Sequence, residues 1–314
     1  EILTIDKGWE TIVGQWQPGP HFSDGMAGLA EITASSSTRL GLWASLGNAD
    51  PASQVALEHP DWIATWRGKT QVVSHRTSSL CMGHGPVIEY LAGALAELAE
   101  NGLTWLLHDF ETISRCDSAL HDHPQGLGED WAVRGWYRLL AEFRKKFPEV
   151  WVENCWNGGR PLDLQMIAHH DTTIGDDWCD VRHNAVAKVG LGMYLPAHWC
   201  SSYMSDQNQL TLKSQLAIYA VGGPWILMGD IPNWSAEKLD LAKKVMKVYR
   251  NWRPLFPAGS VRWAELSGWT PDSRWRADQE VLALSFVHET GRELMACVFS
   301  ESLATNEVRW HPVH

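Results

Sequence analysis

The sequence predicts a (β/α)8 barrel of the TIM type followed by a small antiparallel β-domain. Three observations predict it. Short apolar runs alternate with helical patterns, which is the sign of parallel βαβ units. Several runs end abruptly in carboxylates: Asp6, Asp109 and the pair Asp176-Asp177. A carboxylate is costly inside a sheet but belongs where a barrel strand opens into its loop. Beyond about residue 258 the alternation gives way to two long β runs around a turn.

Each element can be justified in order. Residues 2–5 are a short apolar strand ending in Asp6, with residues 7–10 as its loop. Residues 39–45 form the next strand, and residues 51–86 are a long excursion with a minor strand at 71–74. Pro86 opens a helix with Val87, Leu91, Leu95 and Leu98 on one face, and Gly102 ends it. Leu103, Trp105, Leu106 and Leu107 then read as a strand buried on both faces, broken by HDFE at 108–111. Residues 131–147 read as a helix stopped by Pro148. Residues 150–155 are a strand, turned by Gly158, Gly159 and Pro161 into a helix that ends at His169-His170, where histidines suit the helix dipole. Strands follow at 172–177, 192–195 and 224–230, with a helix over 210–221. Ser235 caps the helix after the last of these strands.

That makes seven strong strands, whereas a closed barrel has eight. The first strand is therefore placed upstream of Glu1, with 71–74 as the alternative eighth. The barrel is expected to span residues 1–257. Residues 258–314, with hairpin runs at 281–287 and 293–299 around Glu289–Arg292, are the β-domain, whose completeness is left open.

A net charge of −11 argues against a nucleic-acid partner, and no apolar run is long enough for a membrane span. The six cysteines at 81, 116, 155, 179, 200 and 297 form no CxxC pair, so they read as reduced thiols. The compartment is left open, with the cytoplasm favoured. His121-Asp122-His123 reads as a polar loop, and no metal or cofactor is assigned. Nineteen tryptophans suit either sugar stacking or a large packed core. Two acids on facing strand ends are what glycoside hydrolysis requires, one as nucleophile and one as proton donor.

With these residues on the page, the order and wording of the chain resemble the α-galactosidases of glycoside hydrolase family 36, and more distantly family 27. The segments are IDKGW at 5–9, GLW at 41–43, HPDW at 59–62, LCMGHGPVIEYL at 80–91, LLHDFE at 106–111, ENCWNGGRPLDL at 153–164, TIGDDWCD at 173–180 and GDIPNWSAEKLDLAKK at 229–244. The resemblance covers about residues 2–255. It implies that Asp109 is the nucleophile and Asp176 the general acid/base, with Asp177 as the alternative one residue on. It implies retention of configuration, with carboxyls about 5–5.5 Å apart. It implies further that Asp6, Lys7, Trp9, Trp43, Arg76, Glu111, Cys155, Gly158 and Gly159 line the sugar site.

The chain departs from the family pattern at three positions. Lys7 replaces the second aspartate of a pair. Leu107 replaces the lysine of Lys-x-Asp-x-Asn, and Glu111 replaces its asparagine. A pocket lysine moved from position 107 to position 7 would account for two of the three changes. The implied function is a retaining glycosidase of α-galactosidase type on a terminal α-linked sugar. The expected partner is an oligosaccharide or glycoside; a homo-oligomer is left open. The alternatives are a transglycosylase resembling raffinose synthases and a non-catalytic carbohydrate-binding barrel or inactive fragment.

Overall fold

The computed structural model describes residues 1–73, 76–109, 112–175, 177, 181–205, 220–263, 265–266, 281–291, 294–300 and 310–311. The chain divides into two compact units, Glu1–Asp171 and Thr172–His314.

The first unit is built from β1 (Ile2–Ile5), α1 (Gly25–Ser35), β2 (Arg39–Ala44), α2 (Gly85–Glu100), β3 (Leu103–His108), α3 (Gly128–Lys146) and β4 (Trp151–Asn154). The four strands are parallel and adjacent in chain order. Side chains alternate between the sheet's faces. Leu42, Leu106 and Val152 align across three strands and join a core with Leu91, Leu95, Trp136 and Leu139 of the helices. The neighbouring row, Trp43, Leu107 and Glu153, belongs to the opposite face.

Helix α2 buries Val87, Ile88, Leu91, Leu95 and Leu98, each contributing about 1.5–3 kcal/mol by leaving water. Helix α3 carries Glu129 and Asp130 in its first turn and Arg144, Lys145 and Lys146 in its last, matching the helix dipole. At the other end of the strands, Arg144 grips Asp171 with two hydrogen bonds of 2.8 and 3.0 Å. The Val152 N–H donates to the same carboxylate at 2.8 Å.

The second unit contains β5 (Thr172–Ile174), α4 (Val181–Leu191), β6 (Cys200–Ser205), β7 (Trp225–Met228), α5 (Ala236–Trp252), β8 (Gly259–Trp263), β9 (Val281–His288) and β10 (Leu294–Ser300). Strands β5, β6 and β7 are parallel in that order. Strands β8, β9 and β10 form an antiparallel sheet, with Val287 opposite Leu294 in the hairpin. Phe286 packs edge-on against Phe256 at 5.0 Å in a core with Ala197, Val221 and Val261. The Ser235 hydroxyl caps α5, accepting from the Lys238 N–H.

Three expectations fail. Residues 192–195 are a turn rather than a strand, with Met193 and Tyr194 exposed. The parallel strand of this region is β6. Val72, in the expected minor strand, makes only an isolated antiparallel bridge to Ser78, so the excursion supplies no barrel strand there. The helix through His169 is two short pieces, Trp156–Gly159 and Leu164–Ile167. Helix α1 was not anticipated. The core of the expected helix at 210–221 lies outside the described residues, as do Asp176 and Glu111.

Candidate active site

Strand β3 is apolar until His108 and then delivers Asp109 at its carboxyl end. The Asp109 N–H bonds the Ala44 carbonyl at 3.0 Å, so the pairing with β2 runs one residue past the strand. The residue is only 5% exposed. The Trp43 indole N–H donates to Oδ2 at 3.0 Å, and the Asn157 backbone N–H donates to Oδ1 at 2.9 Å. Each oxygen of the carboxylate therefore has a fixed N–H donor, which sets its orientation.

The second donor depends on unusual backbone. Trp156, Asn157, Gly158 and Gly159 have φ of 36°, 53°, 96° and 72°. The glycines adopt this left-handed region freely, but Trp156 and Asn157 do so under strain. Cys155 in the right-handed region followed by Trp156 in the left-handed one turns successive N–H groups inward, a common way to hold an anion. Cys155, whose N–H bonds the His108 carbonyl at 3.0 Å, is the last residue tied to β3 before this turn.

A chain of rings fixes the turn from behind. His170 Nδ1 donates to the Met166 carbonyl at 2.8 Å. Burial pushes both His170 and His108 down to about 3, so both rings are neutral at ordinary pH. With Nδ1 of His170 protonated, its Nε2 accepts from His108 Nδ1 at 3.4 Å. The Trp156 indole N–H donates to the His108 ring at 3.1 Å, and Trp136 packs edge-on against Trp156. His170 therefore does not serve the helix dipole as a cation. It is a neutral link between Met166 and the turn that holds Asp109.

The other expected site residues are dispersed. Asp6 ends β1, at the same end of the sheet as Asp109, and accepts from the Lys7 N–H at 2.7 Å; both residues are exposed. Trp9 is wholly buried, and its indole donates to the Trp43 carbonyl at 2.6 Å. It supports Trp43 from the core. Arg76 is exposed with φ of 64°. Cys155 is buried. Asp177 lies in a turn after β5 and is exposed.

The sequence reading gave no role to His108, Trp156 or Asn157 and took His170 only as a helix-end histidine. It also passed over Glu153, a wholly buried carboxylate that accepts from the Trp105 indole at 3.0 Å. The neighbouring glycines were the one available signal for the turn. Cys81, Cys116, His121 and His123 are all buried and their donor atoms lie within 4.8 Å of one another, although the two histidines read as polar loop.

Parallel βα units with a buried, doubly held carboxylate at a strand's carboxyl end place the chain in the parallel α/β class. Within that class the chain belongs to the Melibiase family, whose model matches residues 4–258. It is 24% identical over 216 residues to "Alpha-galactosidase 2" of Pediococcus pentosaceus, covering 65% of this chain and 30% of that protein. It is 23% identical to "Alpha-galactosidase AgaA" of Geobacillus stearothermophilus, covering 83% and 38%. The solved structure of that GH36 α-galactosidase in complex with raffinose matches with a TM-score of 0.84 at 20% identity, over 98% of this chain and 44% of that one. The α-galactosidase of Lactobacillus brevis matches equally, with a TM-score of 0.84, 21% identity, and 98% and 42% coverage. The likeness to these structures shows the fold. The chain spans about a third of the length of the curated relatives it matches.

Proposed function

We propose that this protein is a retaining glycosidase acting on terminal α-linked galactosides. The observation that carries the reading is Asp109, buried at the end of β3 with both oxygens held by N–H donors. A nucleophile must present one lone pair to the anomeric carbon without rotating away, and fixed donors restrain it. The reaction is a double displacement. Asp109 attacks while a second carboxyl protonates the leaving oxygen, and water then releases the sugar with the second group as base. Asp176 is the proposed acid/base, with Asp177 as the alternative. Asp6, Lys7 and Trp43 are proposed to bind the sugar, with Lys7 replacing the family lysine lost at Leu107. Arg76, Glu111, Cys155, Gly158 and Gly159 complete the proposed site, while Trp9 acts through Trp43.

On this reading residues 1–257 form the catalytic barrel domain and residues 258–314 an accessory β-domain. Raffinose and stachyose are bound in solved relatives, which supports an oligosaccharide as substrate class. Leu107, apolar where the family carries a lysine, favours a second reading of sugar binding without turnover.

A panel of aryl α-glycosides tested on the wild type and on Asp109→Gly separates the two. Turnover of the α-galactoside, lost in the variant and restored by azide as a β-galactosyl azide, supports the enzyme. Sugar binding unchanged by Asp109→Asn, with no turnover, supports the second reading.

A further inference from the structure

Cys81, Cys116, His121 and His123 have no part in the sugar chemistry, yet all four are buried together in the first unit. Cys81 lies just before α2, at the end of the excursion that follows β2. The other three lie in the loop that follows Asp109. Cys81 Sγ is 3.3 Å from His123 Nε2, and Cys116 Sγ is 3.2 Å from His121 Nδ1. The edges of a tetrahedral zinc site with two sulfurs and two nitrogens are about 3.3–3.8 Å, so the four donors need only small adjustments to surround an ion.

The outer contacts point the same way. His121 Nε2 donates to the Asp61 carbonyl at 2.6 Å, and His123 Nδ1 to the Pro124 carbonyl at 3.1 Å. Each imidazole thus has one nitrogen occupied by a backbone carbonyl and turns the other, with its lone pair, toward the sulfurs. Ligand histidines are oriented in this way in metal proteins. The thiolate is the form that binds metal. Room for the cluster is made at Gly83, where a Cβ would lie 2.9 Å from the His123 ring.

We propose that Cys81, Cys116, His121 and His123 form a structural zinc site that ties the loop after Asp109 to the excursion after β2. Two thiolates and two neutral imidazoles balance the charge of one divalent ion. Sulfur and imidazole donors in a tetrahedron select zinc over the hard cations. Four protein ligands leave no open position, so the ion orders the fold and takes no part in hydrolysis. The loop is already laced to the excursion beside the cluster: the Asp117 N–H donates to the Thr65 carbonyl and the Arg67 N–H to the Asp117 carboxylate, both at 2.8 Å.

The test is metal analysis and cobalt substitution of the full chain, with readouts independent of sugar turnover. The protein, dialysed against metal-free buffer, should retain one equivalent of zinc. The stripped protein reloaded with cobalt(II) should show the intense visible bands of a tetrahedral site together with thiolate-to-cobalt charge transfer. The double change Cys81→Ser, Cys116→Ser should abolish both signatures. Asp122→Asn, in the same loop but outside the ligand set, should keep them. Absence of stoichiometric zinc and a weak octahedral cobalt spectrum in wild type would overturn the proposal, whether the two cysteines are then found as thiols or as a disulfide. The wild-type cobalt spectrum decides the matter even if the serine variant fails to fold.

Discussion

The indole N–H of Trp43 donates to Asp109 Oδ2 at 3.0 Å, joining β2 to the residue that ends β3. Trp9 holds that indole's backbone from the core through its own N–H. The carboxylate thus takes its orientation from two tryptophans and a strained turn. Trp43→Phe keeps the ring and removes the donor. Loss of a hydrogen bond to a charged group is worth about 1.5–3 kcal/mol, so kcat/KM on an aryl α-galactoside should fall by about 10- to 100-fold. Steady-state kinetics checks this, with circular dichroism to show that the fold is kept.

Asn157 separates strain from contact, because its backbone N–H is what reaches Asp109. Asn157→Gly keeps that donor and removes the cost of a φ of 53°. It should leave stability unchanged or raise it slightly. Asn157→Val keeps the donor and puts a branched side chain in the left-handed region, at a cost of about 1–2 kcal/mol. Urea denaturation of the two variants reads the difference.

The pair His108 and His170 makes the fold sensitive to acid. Burial holds both rings neutral in the folded protein, down to about 3, whereas in the unfolded chain they bind protons below the ordinary histidine value of 6.5. Their contribution is complete above pH 6.5 and is lost as pH falls toward 3. The urea midpoint should fall across that window. His170→Gln, which does not titrate, should make the fall shallower.

Glu10 acts in the opposite sense. Burial raises its carboxyl from 4.5 to about 7, against the Trp16 N–H, which donates to it at 2.9 Å. The folded state holds a proton that the unfolded state gives up. Its contribution is present below pH 4.5 and lost as pH rises through 7. Glu10→Gln should remove that part of the pH dependence in the same denaturation series.

Much of the fold was legible because parallel strands are short apolar runs with abrupt ends. Asp109 was legible for the same reason, since an acid closing such a run has few other places to be. Strand β6 was not. Its sequence, CSSYMS, is polar enough to read as loop, and pairing with strands on both sides supplies what its composition does not. The apolar Gly-Met-Tyr-Leu run at 192–195 looked more like a strand, yet Met193 and Tyr194 are solvent-exposed. His170 at a helix end has the same sequence context as a capping histidine, and only the burial of its ring distinguishes the two. The sulfur–imidazole cluster joins Cys81 to Cys116 across 116 − 81 = 35 positions, a separation that no local motif announces.

The central claim is that Asp109 forms a bond to sugar. Incubation with an activated fluorinated α-galactoside that forms its glycosyl-enzyme faster than it releases it, followed by proteolysis and mass spectrometry, tests this most directly. The account predicts one sugar adduct per chain, on Asp109 in the peptide that follows β3. An adduct on another carboxylate, or turnover of a plain α-galactoside with inversion at the anomeric carbon, would contradict it.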